Sequence, residues 1–364
     1  MQALLRDVRY AWRSLLRSPG LTIVAALALT LGIGLTTTMF SIVYGALIKG
    51  LPFPDGDRIM NIGRANPAKD IRSQSLPIQD FVDYRKQQHT FTDLAAYTSG
   101  TIYVSGDEKA ERFTGAWISA NMFDVVGVRP VLGRSFRAGE DTPAGEKVAI
   151  LSYSLWQQRY AGDRNILGHQ LRVNGAPTTV VGVMPENFLF PDNDQIWVPM
   201  QDDPLATLRG KGPFVQVVGK LKPDVTLDQA TVDLATISKR LAAEYKDTNE
   251  GFTSTVQSFV DQYIGNEPRQ LLYTMLGAVF FVLLIACANV ANLLLDRAAH
   301  RTKEVGIRTA LGASRAHVVR QFLAEALVLS LLAAGLGVGL AYFGIGAFNR
   351  ALTVTQVPFF IDIR

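Results

Sequence analysis

The sequence predicts an integral membrane protein: an α-helical transmembrane bundle of three spans plus a large α+β domain outside the cytoplasm. Three observations predict it. Apolar residues gather in three blocks, at about residues 21–48, 271–295 and 323–348, and the single charge inside them is Glu325. Each block reaches the roughly 20 residues that cross a bilayer. The stretch between the first two blocks has the composition of a soluble protein. Lysine and arginine cluster beside the blocks, although the net charge of the 364 residues is +4. That distribution orients a chain in a membrane and gives no reason to expect a nucleic-acid partner.

The elements follow in order. Residues 1–19 carry Arg6, Arg9, Arg13 and Arg17 at helical spacing, with Leu4, Leu5, Val8, Trp12, Leu15 and Leu16 on the remaining surface. This predicts an amphipathic helix on the cytoplasmic lipid surface. The first span, residues 20–49, starts after Ser18-Pro19-Gly20. It is too long for the apolar core of a cleaved signal and lacks an A-x-A-like site, so it reads as an uncleaved anchor. Residues 50–268 form the external domain. Residues 269–364 hold the second span (271–295), a basic loop (296–320), the third span (323–348) and a tail (349–364). The loop sets Arg297, Arg301, Lys303, Arg308, Arg315 and Arg320 against Asp296 and Glu304, which makes it cytoplasmic. The N-terminus is cytoplasmic by the same rule, and two crossings separate the two, so the assignments agree. The protein is expected in the cell inner (plasma) membrane as a multi-pass protein. An odd number of spans suggests a portion of something longer.

Polar residues inside the blocks are Asn289, Asn292 and Glu325. Intramembrane polar groups are functional candidates; for the two asparagines, near the cytoplasmic interface, a helix–helix hydrogen bond is the plainer role. Gly32, Gly34, Gly335, Gly337 and Gly339 read as close-packing positions, with Gly335 and Gly339 a small-xxx-small pair.

In the external domain, strands are expected at 102–104, 147–151, 170–173, 178–183 and 214–221. Asn174-Gly175 is the turn of a hairpin. A helix is expected at 81–88, and another at 227–245 with Thr226 as its cap. Two subdomains divided near 192–212 would fit this order. No reaction chemistry stands out. Gly139…Gly145-Glu146-Lys147 lacks the spacing and the following hydroxyl of a phosphate loop. No nucleophile elbow, zinc helix or paired carboxylates occur. The histidines (His89, His169, His300, His317) are scattered, and Cys287 is the single cysteine, which excludes an internal disulfide. Asp107-Glu108 and Glu140-Asp141 read as solvated surface, and Trp117, Trp156 and Trp197 as core. The chain is therefore expected to be no enzyme and to need no cofactor or metal.

Certain stretches resemble a known family. Residues 297–315 (RAAHRTKEVGIRTALGASR) and 321–327 (QFLAEAL) strongly resemble the loop and third-span start of FtsX-like permeases of MacB-type ABC transporters. Residues 121–134 (NMFDVVGVRPVLGR), 150–156 (ILSYSLW), 180–188 (VVGVMPENF) and 218–223 (VGKLKP) are similar to the MacB periplasmic core domain. With Arg6–Pro19 added, the combination is most similar to acidobacterial-type duplicated permeases, in which a four-span unit occurs twice. This chain would then be the first half, stopping before a fourth span.

The resemblance implies a permease subunit served by a separate ABC ATPase, whose motion enters through a short coupling helix and reaches the external domain. It carries that coupling role onto Lys303, Glu304, Val305, Gly306, Ile307, Arg308, Leu311 and Gly312. The residues suit it: 302–311 can form a short helix, Gly312 can end it, and Ser314 can cap the next. The plain alternative is that these cations only fix topology, yet orientation alone does not require the Lys303-Glu304…Arg308 pattern. Implied partners are the ATPase, a second permease half (duplicate or homodimer), membrane lipid and a periplasmic protein. Efflux of a substrate and mechanical drive of an external partner both remain open. The competing class is a membrane-anchored sensor or binding module that acts without an ATPase.

Overall fold

The computed structural model describes residues 19–105, 110–300 and 315–352, with pieces at 9, 11–13, 15–16, 358–361 and 363. Most of the expected surface helix (1–19) and the whole expected coupling helix (302–311) lie outside the described residues, as do Asp107 and Glu108. The chain forms two compact units, a helical one and a globular one.

Helix α1 (Pro19–Val43) opens the helical unit and continues as a wider π-helical turn at Tyr44–Ile48. Pro19 at its start suits the first helical turn, where its missing N–H is not needed. Its three consecutive threonines, Thr36 to Thr38, stay helical although β-branched, because an apolar segment must satisfy its backbone internally. Gly50, where the globular unit begins, has φ +72°.

The globular unit is built on one mixed sheet. Its strands are β1 (Ile59–Asn66), β2 (Ile71–Gln74), β3 (Leu76–Pro77), β4 (Phe91–Ser105), β5 (Glu111–Ile118) and β6 (Leu132–Gly133). They continue with β7 (Val148–Leu151), β8 (Gln170–Val173), β9 (Ala176–Val183), β10 (Ile196–Pro199), β11 (Phe214–Leu221) and β12 (Thr253–Ser258). The spatial order is β12-β1-β11-β4-β5-β10-β7-β9-β6, with β2 on β1, β3 on β11, and β8 on β4 and β9. Pairing is antiparallel except for β10 with β5 and β7 with β9. The expected strands at 170–173 and 214–221 match β8 and β11, and Val173 pairs Ala176 across the two-residue Asn174-Gly175 turn. The strand expected at 102–104 is the end of a much longer β4.

Helices α2 (Ile78–Gln87) and α5 (Leu227–Glu244) cover one core, to which Leu76, Phe91, Leu94, Val217, Leu234 and Ile237 belong. Thr226 and Gln229 close a reciprocal capping box on α5, as its sequence predicts. Helix α2 starts three residues earlier than expected, after Pro77, so Gln79 and Asp80 lie in its buried first turn. An aromatic core holds α3 (Met122–Val126), Phe188, Phe190, Trp197 and Phe259. A third core lies under α4 (Tyr153–Tyr160), with Trp156 inside it. Trp197 is fully buried, and Trp117 is half-buried against two cores. The expected division near 192–212 is not there. That segment contains β10, a central strand between β5 and β7, and Gly50–Gly265 is one unit.

A short α6 (Lys246–Asn249) follows α5, and α7 (Phe259–Ile264) ends at Gly265, which has φ +75° and ψ 174°. Helix α8 (Asn266–His300) starts at the next residue, so the three residues up to 268 belong to the helix and not to the domain. Helix α9 (Arg315–Leu352) begins directly after Ser314. The tail returns to the globular unit at Pro358–Ile361, where Phe360 is buried, 5.4 Å from the Tyr263 ring. Among the described residues, three helices are long and apolar enough to cross a membrane: Pro19–Ile48, Asn266–Asp296 and Phe322–Ala351.

Helix α1 packs against both α8 and α9. A Cβ on Gly32 would meet Leu283 at 3.0 Å, and one on Gly34 would meet Leu340 at 2.8 Å and the Gly337 carbonyl at 3.1 Å. These glycines let the helices approach closely. The expected Gly335–Gly339 pair does not take part, since nothing lies within 4 Å of a Cβ at either. Two residues along a helix is about 200°, so both point away from the face that Gly337 presents to α1.

Candidate functional site

Lys303, Glu304, Val305, Gly306, Ile307, Arg308, Leu311 and Gly312, the expected coupling residues, lie outside the described residues. Of the intramembrane polar residues, Glu325 is 1% exposed within the helical unit. One turn later, Leu329 joins Leu15, Ala25, Leu29, Val290 and Ala333 in a buried cluster. Asn289 and Asn292 are both exposed on α8. The structure thus separates them from Glu325, placing one acid inside and two amides outside.

Threonines supply polar contacts between helices that the apolar pattern hid. Thr36 Oγ1 donates to the Val279 carbonyl of α8 at 3.3 Å, and Thr30 Oγ1 to the Ala333 carbonyl of α9 at 3.5 Å. Backbone carbonyls are acceptors at every helix position, so the sequence signal was only the hydroxyl inside an apolar run.

In the globular unit the strongest polar feature is a buried network around Asp80 on α2. Its carboxylate accepts from Asn249 Nδ2 at 2.9 Å and pairs with Arg209 and, at 3.6 Å, with Arg64 of β1. Arg209 also pairs with Asp83 and lies 3.8 Å from the Tyr245 ring centroid. Arg64 lies 4.0 Å over the Phe252 ring. Burial pushes the Asp80 carboxyl above its ordinary value, against Asn249 and the two arginines. Gln79 Nε2 donates to the Pro204 and Thr207 carbonyls, both at 3.2 Å. Together Gln79 and Arg209 fasten the segment between β10 and β11 to α2.

Glu140 corrects a second expectation. It is buried, not solvated, and a bidentate Arg134 fork reaches it at 2.7 and 3.1 Å, with the Arg137 N–H at 2.8 Å. Burial pushes its carboxyl up, but Arg134 and Arg137 hold it below the ordinary range. Asp141 accepts from the Ala120 N–H at 2.9 Å. Both acids hold loops in place. Among the described residues no cluster of His, Cys, Asp or Glu is placed to hold a metal.

Two family models match the sequence, a MacB-like periplasmic core domain over residues 22–237 and an FtsX-like permease C-terminal domain over residues 276–364. The macrolide export ATP-binding/permease protein MacB of Campylobacter jejuni (strain 81-176) is 26% identical over 355 residues, covering 95% of this chain and 54% of that protein. The ABC transporter permease YknZ of Bacillus subtilis is 23% identical over 365 residues, covering 94% of this chain and 86% of that protein. The chain thus spans about half the length (54%) of the first MacB relatives it matches. A crystal structure of the periplasmic region of MacB from Actinobacillus actinomycetemcomitans covers 60% of this chain and 96% of that one, at 22% identity and a TM-score of 0.43.

Proposed function

We propose, since the chain belongs to the MacB-like, FtsX-like family of ABC-transporter permeases, that it takes up the motion of a separate cytoplasmic ATPase and delivers it to its own outer domain. It is an inner-membrane protein with an extracytoplasmic domain of the MacB periplasmic-core type. The observation that carries the reading is the absence of slack at two junctions. The domain begins at Gly50, two residues after the π-helical turn of α1, and ends at Gly265, one residue before α8. A displacement of either helix is felt by the domain without a linker to absorb it.

The ATPase is proposed as a partner subunit, in keeping with relatives that are named as ATP-binding/permease proteins or, as with YknZ, as a permease. Input is assigned to Lys303, Glu304, Val305, Gly306, Ile307, Arg308, Leu311 and Gly312, between α8 and α9. Topology follows from charge, with residues 1–19 and the basic loop cytoplasmic and residues 50–265 outside. Phe359 and Phe360, packed in the aromatic core of the outer domain, support an external tail.

A second permease half, duplicated or a second copy, is the proposed neighbour in the membrane. The exposed amides of Asn289 and Asn292 and the open face at Gly335 and Gly339 favour helix neighbours over lipid. The output is export of a substrate or mechanical drive of a periplasmic protein.

The test is co-purification with an ABC ATPase from the same cells. Glu304→Lys and Arg308→Glu should each weaken that association at least several-fold while membrane insertion is unchanged. If both variants hold the ATPase at wild-type levels, the coupling assignment is wrong.

A further inference from the structure

We propose that the globular unit carries a binding site for a small organic cation, an ammonium group bearing hydroxyls or amides, in the cavity between α7 and β2. The cavity encloses about 410 Å³, within the size range of ligand pockets. It opens on one face of the sheet, where Gln216 of β11 and Tyr97 of β4 sit directly opposite each other in register.

One wall is aromatic and acidic. Tyr97, Phe259 and Tyr263 line it. The Phe259 and Tyr263 rings lie 6.1 Å apart, and Phe190 lies 4.9 Å from Phe259 and 6.4 Å from Tyr97. Asp192 stands beside them as an exposed carboxylate, and one of its oxygens accepts from the Tyr263 hydroxyl at 2.6 Å. Two residues on, Asp194 is fully buried, and its Oδ1 has no hydrogen-bond partner. Burial, then the charges of Asp192 and Asp194, push the pKa of the Tyr97 hydroxyl up. A carboxylate among aromatic faces is the chemistry that holds an ammonium group.

The opposite wall is neutral and polar. Asn61, Ser73 and Ser75 line it with Gln216, and amides and hydroxyls of these types both donate and accept. They suit the hydroxyl or amide part of a ligand. Among the described residues no lysine or arginine lines the cavity, so an anion would meet the Asp192 carboxylate. A neutral polyol would use the amides and leave the acidic wall idle. The site stands whether or not the ATPase reading holds, because it needs only the globular unit. Two residues of its aromatic wall, Phe259 and Tyr263, belong to α7, which precedes α8.

The full chain is titrated with choline in bilayers of phosphatidylglycerol, which has no ammonium headgroup, and binding is followed by saturation-transfer NMR. A ligand this small should saturate at about millimolar concentration. Asp192→Asn keeps the shape and the Tyr263 contact, and should weaken choline about tenfold with an unchanged melting temperature. Tyr263→Phe keeps the ring and should weaken it less. Loss of choline binding when phosphatidylethanolamine replaces part of the lipid would identify a headgroup as the source of the same ammonium chemistry, and persistence would identify a soluble ligand. The proposal is overturned if choline does not saturate, if both variants bind it as tightly as wild type, or if glycerol competes equally well.

Discussion

At the scale of single residues, Asp194 gives the outer domain a pH dependence. Burial pushes its carboxyl from 3.8 up to about 7, while Ser99 and the Asp192 N–H pull it down less. Between those values the folded state holds a proton that the unfolded state has released. Stability from this group is therefore complete below about pH 4, falls as pH rises, and is gone above about pH 7. Asp194→Asn mimics the protonated form and removes that slope. In detergent-solubilised full chain it should raise the melting temperature at about pH 8 by several degrees, at roughly 2–4 °C per kcal/mol, and change it little at about pH 4. An equal shift at both pH values would refute the assignment. None of this was legible in the sequence. The partners of Asp80 and Asp194 come from far along the chain, 129 residues for Arg209 and 95 for Ser99. The Arg134–Glu140 pair, six residues apart, was within reach, yet adjacent acids in a polar loop look solvated until the loop is seen to fold back over them.

At the scale of elements, legibility followed burial. Strands with one buried face show alternation, as in β8, and a capped surface helix such as α5 announces both its start and its stripe. The first half of β4 does neither. Leu94, Ala95 and Ala96 are all fully buried, so both faces are covered and alternation disappears, while alanine and Gly100 lower strand propensity. The helical glycines were visible as small residues, but which face each one occupies depends on where α1 lies. That distinction can be measured. Gly337→Leu should drive a side chain into Ile33, already 2.9 Å from a modest Cβ, and destabilise the bundle by about 1–3 kcal/mol. Gly335→Leu, two residues away, should leave the melting temperature of the solubilised chain unchanged. Equal losses would mean that α1 and α9 do not meet as described.

For the whole molecule, the three apolar blocks and the domain between them were plain in the sequence, because a bilayer imposes length and charge rules that a globular interior does not. The internal order of the domain was much less so, since β1, β5 and β12 mix polar and apolar residues, and β10 is a four-residue apolar run ending in proline. Orientation is open to direct test. With the exposed Cys287 of α8 replaced by serine, a cysteine at Asn174 should react with an impermeant maleimide in intact cells. One at Thr302 should react only after the membrane is breached, and the reverse pattern would invert the topology.

The glycines at the two ends of the outer domain have a consequence for substitution. Gly50 and Gly265 sit at φ +72° and +75°, with no atom within 4 Å of an added Cβ at either. A side chain at either position would therefore collide with nothing around it and would be resisted by the local backbone alone, at a cost on the order of 1–3 kcal/mol.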